Sequence, residues 1–147
     1  MGKETPRSLA TEGAGFLEAV RGICTDNGSP KRNCLLVYYY LVCHSIELSC
    51  KAVLLKGGFS TSRLKGIGHD LSKLIVEIKR GDLGKGISEA DCSIVRMMSV
   101  DYRDRRYSYA LGGYRYSLVL PPWPFETAER ISMYALSACK GGERNGE

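Results

Sequence analysis

Three ionisable residues lie in the middle of the most apolar stretch of the chain. His44, Glu47 and Lys51 are spaced three and four residues apart, so on a helix their side chains share one face. Such a face could line a groove in which Lys51 meets a phosphate as a point charge. The structural alternative is an internal Glu47–Lys51 pair, because this order and spacing favour an ion pair along a helix. The sequence leaves both interpretations open.

A second polar group, His69 and Asp70, follows Gly68 at the start of a predicted helix. Free backbone N–H groups there could hold an anion, and His69 could donate or accept a proton. In the structural alternative, Asp70 caps the helix and His69 forms a hydrogen bond to the preceding long helix, for instance to Glu47. We expect this turn and the long helix to build one shared polar pocket.

A third feature is a segment that interleaves aromatic and basic residues. It contains Tyr102, Tyr107, Tyr109, Tyr114 and Tyr116 together with Arg103, Arg105, Arg106 and Arg115. Single-stranded nucleic acid is bound by such mixtures, with bases stacked on rings and phosphates held by guanidinium groups. Alternatively, the tyrosines pack an extended strand against the domain while the arginines pair with Asp101, Asp104 or Glu47.

The elements that must position these residues are predicted to be helices. Hydrophobic periodicity indicates five of them, at 7–24, 31–56, 69–80, 88–106 and 125–139, with a tail over 140–147. Ser88 is the expected N-cap of the fourth helix. The sequence predicts a loop at 59–68, a turn at 81–86 and a hairpin or extended excursion near 107–120. The expected fold class is therefore all-α, an antiparallel up-and-down bundle forming a single domain over 1–147.

The composition excludes several classes of protein. The chain has 147 residues, 44% hydrophobic and 25% charged, and its net charge of +5 permits a polyanionic partner without requiring one. The ionisable groups inside the apolar stretch make a membrane span costly. Residues 1–10 lack the apolar core of a signal peptide. We therefore expect a cytoplasmic protein with reduced cysteines packed as small apolar groups, no metal and no cofactor.

Three motifs, in their order and spacing, resemble the HEPN-like family of small helical domains. They are HSIELSCKAVLL at 44–55, GHDL at 68–71 with Leu74 three residues on, and DYRDRRY at 101–107. The resemblance covers roughly residues 35–138. It implies an antiparallel helical bundle, commonly a homodimer, with a polar groove associated in parts of the family with nucleotides or RNA. It also implies a separate nucleotidyltransferase or toxin module as a partner.

Some members of that family are ribonucleases with an arginine and a histidine separated by four to six residues. Only Arg63 and His69 have that spacing here, and they precede the third helix instead of lying late in the fold. As a ribonuclease, the protein would use His69 as general base toward an RNA 2′-hydroxyl and Arg63 to stabilise the developing charge.

The preferred functional prediction is a non-catalytic domain with a basic polar groove for a nucleotide or RNA. The residues expected to line this groove are Glu47, Lys51, His69, Asp70, Tyr102, Arg103 and Arg106. A metal-independent ribonuclease and a purely structural interaction domain are the alternatives.

Overall fold

The structure is a computed structural model, and it describes residues 3–104 and 119–140. Within these ranges the chain forms α-helices and no sheet, which confirms the predicted all-α bundle. The helices are α1 (Pro6–Ile23), α2 (Leu35–Lys56), α3 (Thr61–Ile67), α4 (Leu71–Arg80), α5 (Glu89–Arg103) and α6 (Trp123–Ala138), with a 3-10 helix over Asp82–Gly86. The excursion predicted near 107–120 lies outside the described residues, except for its last two positions.

The central element is α2, as its apolar sequence predicts. It contacts every other α-helix of the described ranges, while α1 packs on α6 and α4 packs on α5. Tyr38, Tyr39, Ile46 and Leu54 are among its fully or almost fully buried side chains. Burying one large apolar side chain stabilises a fold by about 1.5–3 kcal/mol. The apolar surface of α2 therefore fixes where its polar face points.

The helix α1 approaches α2 most closely at Gly13. The Ser45 hydroxyl donates to the Gly13 carbonyl oxygen at 2.7 Å. A Cβ at position 13 would lie 2.8 Å from Ser49 Oγ and 3.1 Å from the Ser45 carbonyl oxygen. Only glycine permits this approach of the two backbones.

Several helix boundaries differ from the prediction by one to four residues. The first helix begins at Pro6 and ends at Ile23, one residue earlier at each end. The second begins at Leu35 instead of 31, because Cys34 N–H donates to the Lys31 carbonyl in a turn where Asn33 has a φ of 68°. This left-handed backbone cannot continue into a helix.

The remaining boundaries reflect capping. The third predicted helix begins at Leu71 because Asp70 is its N-cap, and Ser88 caps α5 as predicted. The helix α5 is described as far as Arg103, and residues 105 and 106 of the predicted helix lie outside the described ranges. The last helix begins at Trp123, two residues early, because Pro124 is tolerated in a first turn.

The loop predicted at 59–68 is wrong, because α3 occupies most of it. Ser60 caps α3 by accepting from the Arg63 backbone N–H at 3.1 Å, and Leu64 is buried. A seven-residue helix anchored by so few apolar residues shows no clear periodicity in the sequence. The turn predicted at 81–86 is a 3-10 helix, held by the Tyr134 hydroxyl donating to the Leu83 carbonyl at 2.5 Å.

The cysteines and the helix lengths complete the description of the fold. All six cysteines are free thiols; Cys43, Cys50, Cys92 and Cys139 are buried, in agreement with the predicted apolar packing, whereas Cys24 and Cys34 are only half-buried. None of the described helices combines the length and the apolarity needed to cross a bilayer.

The close approach of α1 and α2 predicts opposite effects for two neighbouring glycines. Gly13→Ala is expected to lower the free energy of unfolding by about 1–3 kcal/mol, because the methyl group must displace Ser49 Oγ and the Ser45 carbonyl. Gly15→Ala is the matched control, since its Cβ would meet nothing within 4 Å. Helix propensity should make that variant about 0.5–1 kcal/mol more stable. Urea denaturation measures both values, and equal effects would contradict the close approach.

Candidate functional site

The polar face of α2 is organised around the carboxylate of Glu47, which is 2% exposed. Lys51 Nζ donates to Glu47 Oε1 at 2.7 Å. His69 Nδ1 donates to Oε2 at 2.9 Å, and the Tyr102 hydroxyl donates to the same oxygen. The helix α2, the turn between α3 and α4, and the end of α5 therefore meet at one side chain. We call Glu47, Lys51, His69, Tyr102 and His44 the Glu47 network.

The hydrogen bonds determine which ring nitrogens carry hydrogen. An ionised carboxylate only accepts, so Nδ1 of His69 is protonated. Tyr102 gives its single hydrogen to Glu47, so its oxygen accepts from His44 Nδ1, 2.9 Å away. Both imidazoles thus turn Nε2 away from the carboxylate. The His69 side chain is 46% exposed and that of His44 is 22% exposed, so His69 is the more accessible of the two imidazoles.

The electrostatics agree with this assignment. Burial alone would raise the pKa of Glu47, but hydrogen bonds from the four surrounding side chains outweigh it and hold that pKa below its ordinary value. Burial also raises the pKa of the Tyr102 hydroxyl, and the negative charge of Glu47 raises it further. At neutral pH Glu47 is therefore ionised, and Tyr102 keeps the hydrogen that it donates.

Aromatic rings pack against both histidines of the network. The Tyr40 ring lies parallel to that of His44 with centroids 5.8 Å apart, and Phe16 meets His44 edge-on at 4.5 Å. The rings of His69 and Tyr102 also meet edge-on, at 5.9 Å. Side chains that exclude water strengthen the hydrogen bonds within a network. Sequence reasoning missed Tyr40 and Phe16, although Tyr40 lies one helical turn before His44.

The turn that carries His69 is fixed on both sides. Gly68 adopts a φ of 63°, which glycine accommodates without strain. Asp70 accepts from the Lys73 backbone N–H at 3.1 Å, and the Ser99 hydroxyl accepts from the Ser72 N–H at 3.0 Å. Protein groups therefore occupy backbone donors at the start of α4, which favours the capping role of Asp70 over an anion held there.

An open groove of ≈ 390 Å³ begins beside this turn and follows α4. We call it the α4 groove; its charged lining residues are Asp70, Lys73, Glu77, Arg80 and Arg103. Glu77 accepts from Arg80 at 3.0 Å, which neutralises its charge. Within the described ranges, the Lys73 ammonium contacts no carboxylate. The groove therefore presents cationic groups that an anion can approach.

Arg103 connects the groove with the turn. Its Nη1 lies 3.9 Å from Asp70 Oδ2, and its Nε donates to Asp104 Oδ1 at 3.1 Å. These hydrogen-bonding and charged neighbours raise the pKa of Arg103, chiefly through Asp104. Solvent screens exposed ion pairs of this kind, so they contribute little to stability and a phosphate can replace the carboxylate at little cost.

The structure divides the residues predicted for the site into two groups. Glu47, Lys51, His69 and Tyr102 meet in the Glu47 network, whereas Asp70 and Arg103 line the α4 groove. Arg106 lies outside the described residues. Among the described residues, no three His, Cys, Asp or Glu side chains are grouped closely enough to hold a metal ion.

Arg63, the proposed partner of His69 in a ribonuclease, is engaged elsewhere. Its guanidinium lies over the Phe59 ring, 3.8 Å from the centroid, and donates to Glu77 Oε2 at 3.2 Å. None of its contacts within the described ranges involves His69. Although Arg63 and His69 have the spacing of the ribonuclease motif in the sequence, their side chains are not in direct contact.

Comparisons with protein families, with curated proteins and with solved structures find no match to this chain. The resemblance to the HEPN-like family stays a prediction, because no relative tests it. The functional inferences below accordingly rest on the geometry of the network and the groove.

The lowered pKa of Glu47 predicts a pH-dependent contribution to stability. Glu47→Gln is expected to lower the free energy of unfolding by about 3–5 kcal/mol at pH 7, because Lys51 loses its counter-charge. A carboxylate with a lowered pKa stabilises the fold above its ordinary pKa of about 4.3, and this contribution disappears as the pH falls toward the folded-state value. The difference between wild type and variant should therefore be largest above about pH 5 and shrink below about pH 4.

Urea denaturation between pH 3 and pH 8 measures this difference. Glu12→Gln is the matched control, because Glu12 is exposed on α1, and it should change stability by less than about 0.5 kcal/mol. A loss at Glu47→Gln that is the same at pH 3 and pH 7 would contradict an ionised Glu47.

Proposed function

We propose that this protein binds a phosphate-bearing ribonucleotide ligand, single-stranded RNA or a free nucleotide, in the α4 groove. The observation that carries the proposal is the convergence of Lys73, Arg80 and Arg103 on one open groove of ≈ 390 Å³. This volume lies in the range of about 300–1,000 Å³ that is typical of small-ligand sites.

The charge balance of the groove supports an anionic ligand. Glu77 accepts from both Arg63 and Arg80, and the Asp70 carboxylate is used as a helix cap. Among the described residues no carboxylate pairs with Lys73, and Arg103 is held only in exposed ion pairs with Asp104 and Asp70, which a phosphate can replace. Guanidinium groups bind phosphate through two parallel hydrogen bonds, whereas an ammonium group acts as a point charge.

The sequence after α5 favours RNA among the phosphate-bearing ligands. Residues 105–116 add three arginines and four tyrosines, a composition typical of segments that stack unpaired bases. Their structure lies outside the described ranges, so this support comes from composition. An oligonucleotide would gain affinity from these residues that a mononucleotide would not.

Substitutions in the groove test the proposal through the salt dependence of binding. Lys73→Ala and Arg103→Ala should each weaken binding of a fluorescein-labelled, U-rich 12-nucleotide RNA by about three- to tenfold at low salt. Each should also reduce the slope of log affinity against log salt by roughly one phosphate contact. Fluorescence anisotropy from 25 to 300 mM KCl measures both quantities, and competition with ATP and AMP separates RNA from free nucleotide.

The control removes one charge from a different surface. Arg7 is exposed on α1, a helix that packs on α2 and α6, and Arg7→Ala should leave the slope unchanged. Failure to bind RNA or nucleotide at 25 mM KCl would overturn the proposal. So would equal effects of Arg7→Ala and the two groove substitutions.

A metal-independent ribonuclease is the second candidate, and the His69–Glu47 pair favours it. A carboxylate that holds Nδ1–H leaves Nε2 as the nitrogen that can accept a proton, which is the orientation a general base requires. Arg63 is engaged with Phe59 and Glu77, so the charge-stabilising group would have to be another cation.

Cleavage of labelled RNA in the presence of EDTA tests this candidate. If His69 is the base, His69→Gln should reduce the rate by about 100-fold or more, while Arg7→Ala retains it. Cleavage that survives His69→Gln would exclude His69 as the base. If the protein binds RNA but does not cleave it, the ribonuclease candidate is excluded and the proposed binding function stands.

A further inference from the structure

We infer that the α4 groove takes one internal nucleotide of a strand, with a phosphate on each side of the nucleoside, in preference to a nucleotide whose phosphates are joined to one another. The inference rests on the proposed function and names the class of ligand that fits the same site. It follows from the distance between two guanidinium groups, from the apolar surface between them and from the carboxylates that hold them.

Two guanidinium groups that line the groove lie at different levels along α4. Arg103 Nη1 lies 3.9 Å from Asp70 Oδ2, at the start of the helix, and its Nε donates to Asp104. Arg80 Nη1 donates to Glu77 Oε1 at 3.0 Å. Asp70 and Glu77 are seven positions apart, which is about 10 Å along a helix axis. The two cationic groups are therefore roughly two helical turns apart.

Between these two levels, α4 exposes an apolar side chain. Val76 lines the groove and is 43% exposed, and Ile67 adds a second apolar side chain to the lining. Small-ligand sites combine apolar walls with a few polar groups that fix the orientation of the ligand. A nucleoside offers its base and sugar for apolar contact, and in a strand a phosphate lies on each side of it. The order of cation, apolar side chain and cation therefore matches the order of phosphate, nucleoside and phosphate.

Each guanidinium group can exchange its groove carboxylate for a phosphate without leaving that carboxylate alone. Glu77 also accepts from Arg63 Nη2 at 3.2 Å, so it keeps a counter-charge when Arg80 turns to a ligand. Asp70 also accepts from a backbone N–H of α4 at 3.1 Å, so it remains a helix cap when Arg103 turns away. Both arginines are exposed, and solvent screens their ion pairs, so the exchange costs little.

A polyphosphate fits this arrangement less well. The phosphates of a nucleoside triphosphate are joined directly, so their charge is concentrated at one end of the molecule. Sites that hold such a group place several cations around it. Here the guanidinium groups of Arg80 and Arg103 are two turns apart, and a carboxylate lies beside each of them. That carboxylate repels a concentrated negative charge more strongly than it repels a single phosphate.

Competition between two nucleotides of similar charge tests the inference. Uridine 3′,5′-bisphosphate carries two phosphate monoesters, each close to −2 at pH 8.0, so its total charge is about −4 and similar to that of UTP. Both are titrated against the same labelled RNA by fluorescence anisotropy at 25 mM KCl, with EDTA to remove Mg²⁺. The bisphosphate should displace the RNA at a concentration about fivefold or more below the concentration of UTP that does so.

A substitution at one level of the groove shows where the preference arises. Arg80→Ala should bring the two competitors to within about twofold of each other, because the phosphate at that level loses its guanidinium partner. Arg7→Ala is the matched control on α1 and should leave the preference unchanged.

The outcomes separate the inference from the proposed function. The inference is wrong if UTP competes as well as the bisphosphate does, or if the RNA binds but neither nucleotide displaces it. It is also wrong if the preference persists in Arg80→Ala or disappears equally in Arg7→Ala. In each of these cases RNA binding itself still supports the proposed function. If the protein binds neither RNA nor nucleotide, the proposed function is wrong.

Discussion

A single ionised carboxylate, buried in the middle of α2, determines the arrangement of the polar residues. Removing a charged group from water costs several kcal/mol, and Glu47 offsets that cost with hydrogen bonds from other elements of the bundle. Lys51 supplies the opposite charge from the same helix, while His69 and Tyr102 approach from the α3–α4 turn and from α5. The turn and the end of α5 are thereby held against α2, and the wall of the α4 groove depends on their placement.

The polar residues consequently serve two different purposes. In the Glu47 network, hydrogen bonds connect the members to one another, and aromatic rings pack against both histidines. The α4 groove is open, and among the described residues its cations either contact no carboxylate, as with Lys73, or are held in exposed ion pairs. His69 belongs to the network through Nδ1, and its side chain is 46% exposed.

Much of the network could be predicted from local spacing. Helical periodicity placed Glu47 and Lys51 on one face of a central helix. An ion pair between side chains four positions apart follows from that geometry alone. The residue type and position of Asp70 predicted its capping role. The hydrogen bond between His69 and Glu47 was one of two alternatives, and only the packing of the α3–α4 turn on α2 decides between them.

Other features depend on tertiary packing that the sequence does not encode locally. Tyr102 lies 55 residues from Glu47 in the chain, and nothing in its own segment distinguishes an inward hydroxyl from a stacking ring. Lys73 and Arg80 are exposed charges on an amphipathic helix, and such charges ordinarily face solvent. They become part of a groove only because α5 ends beside α4. The helix α3 was missed because a helix of seven residues with few apolar side chains shows no clear periodicity in the sequence.

The most direct test of the central claim is the tautomeric state of His69, measured by long-range ¹H–¹⁵N NMR of imidazole-labelled protein at pH 8. The two histidines of the chain can be assigned by comparing wild type with His44→Gln. If an ionised Glu47 holds His69, the spectrum will show hydrogen on Nδ1 and none on Nε2, and Glu47→Gln will change that pattern. A neutral His69 that carries its hydrogen on Nε2 in the wild-type protein would contradict the account.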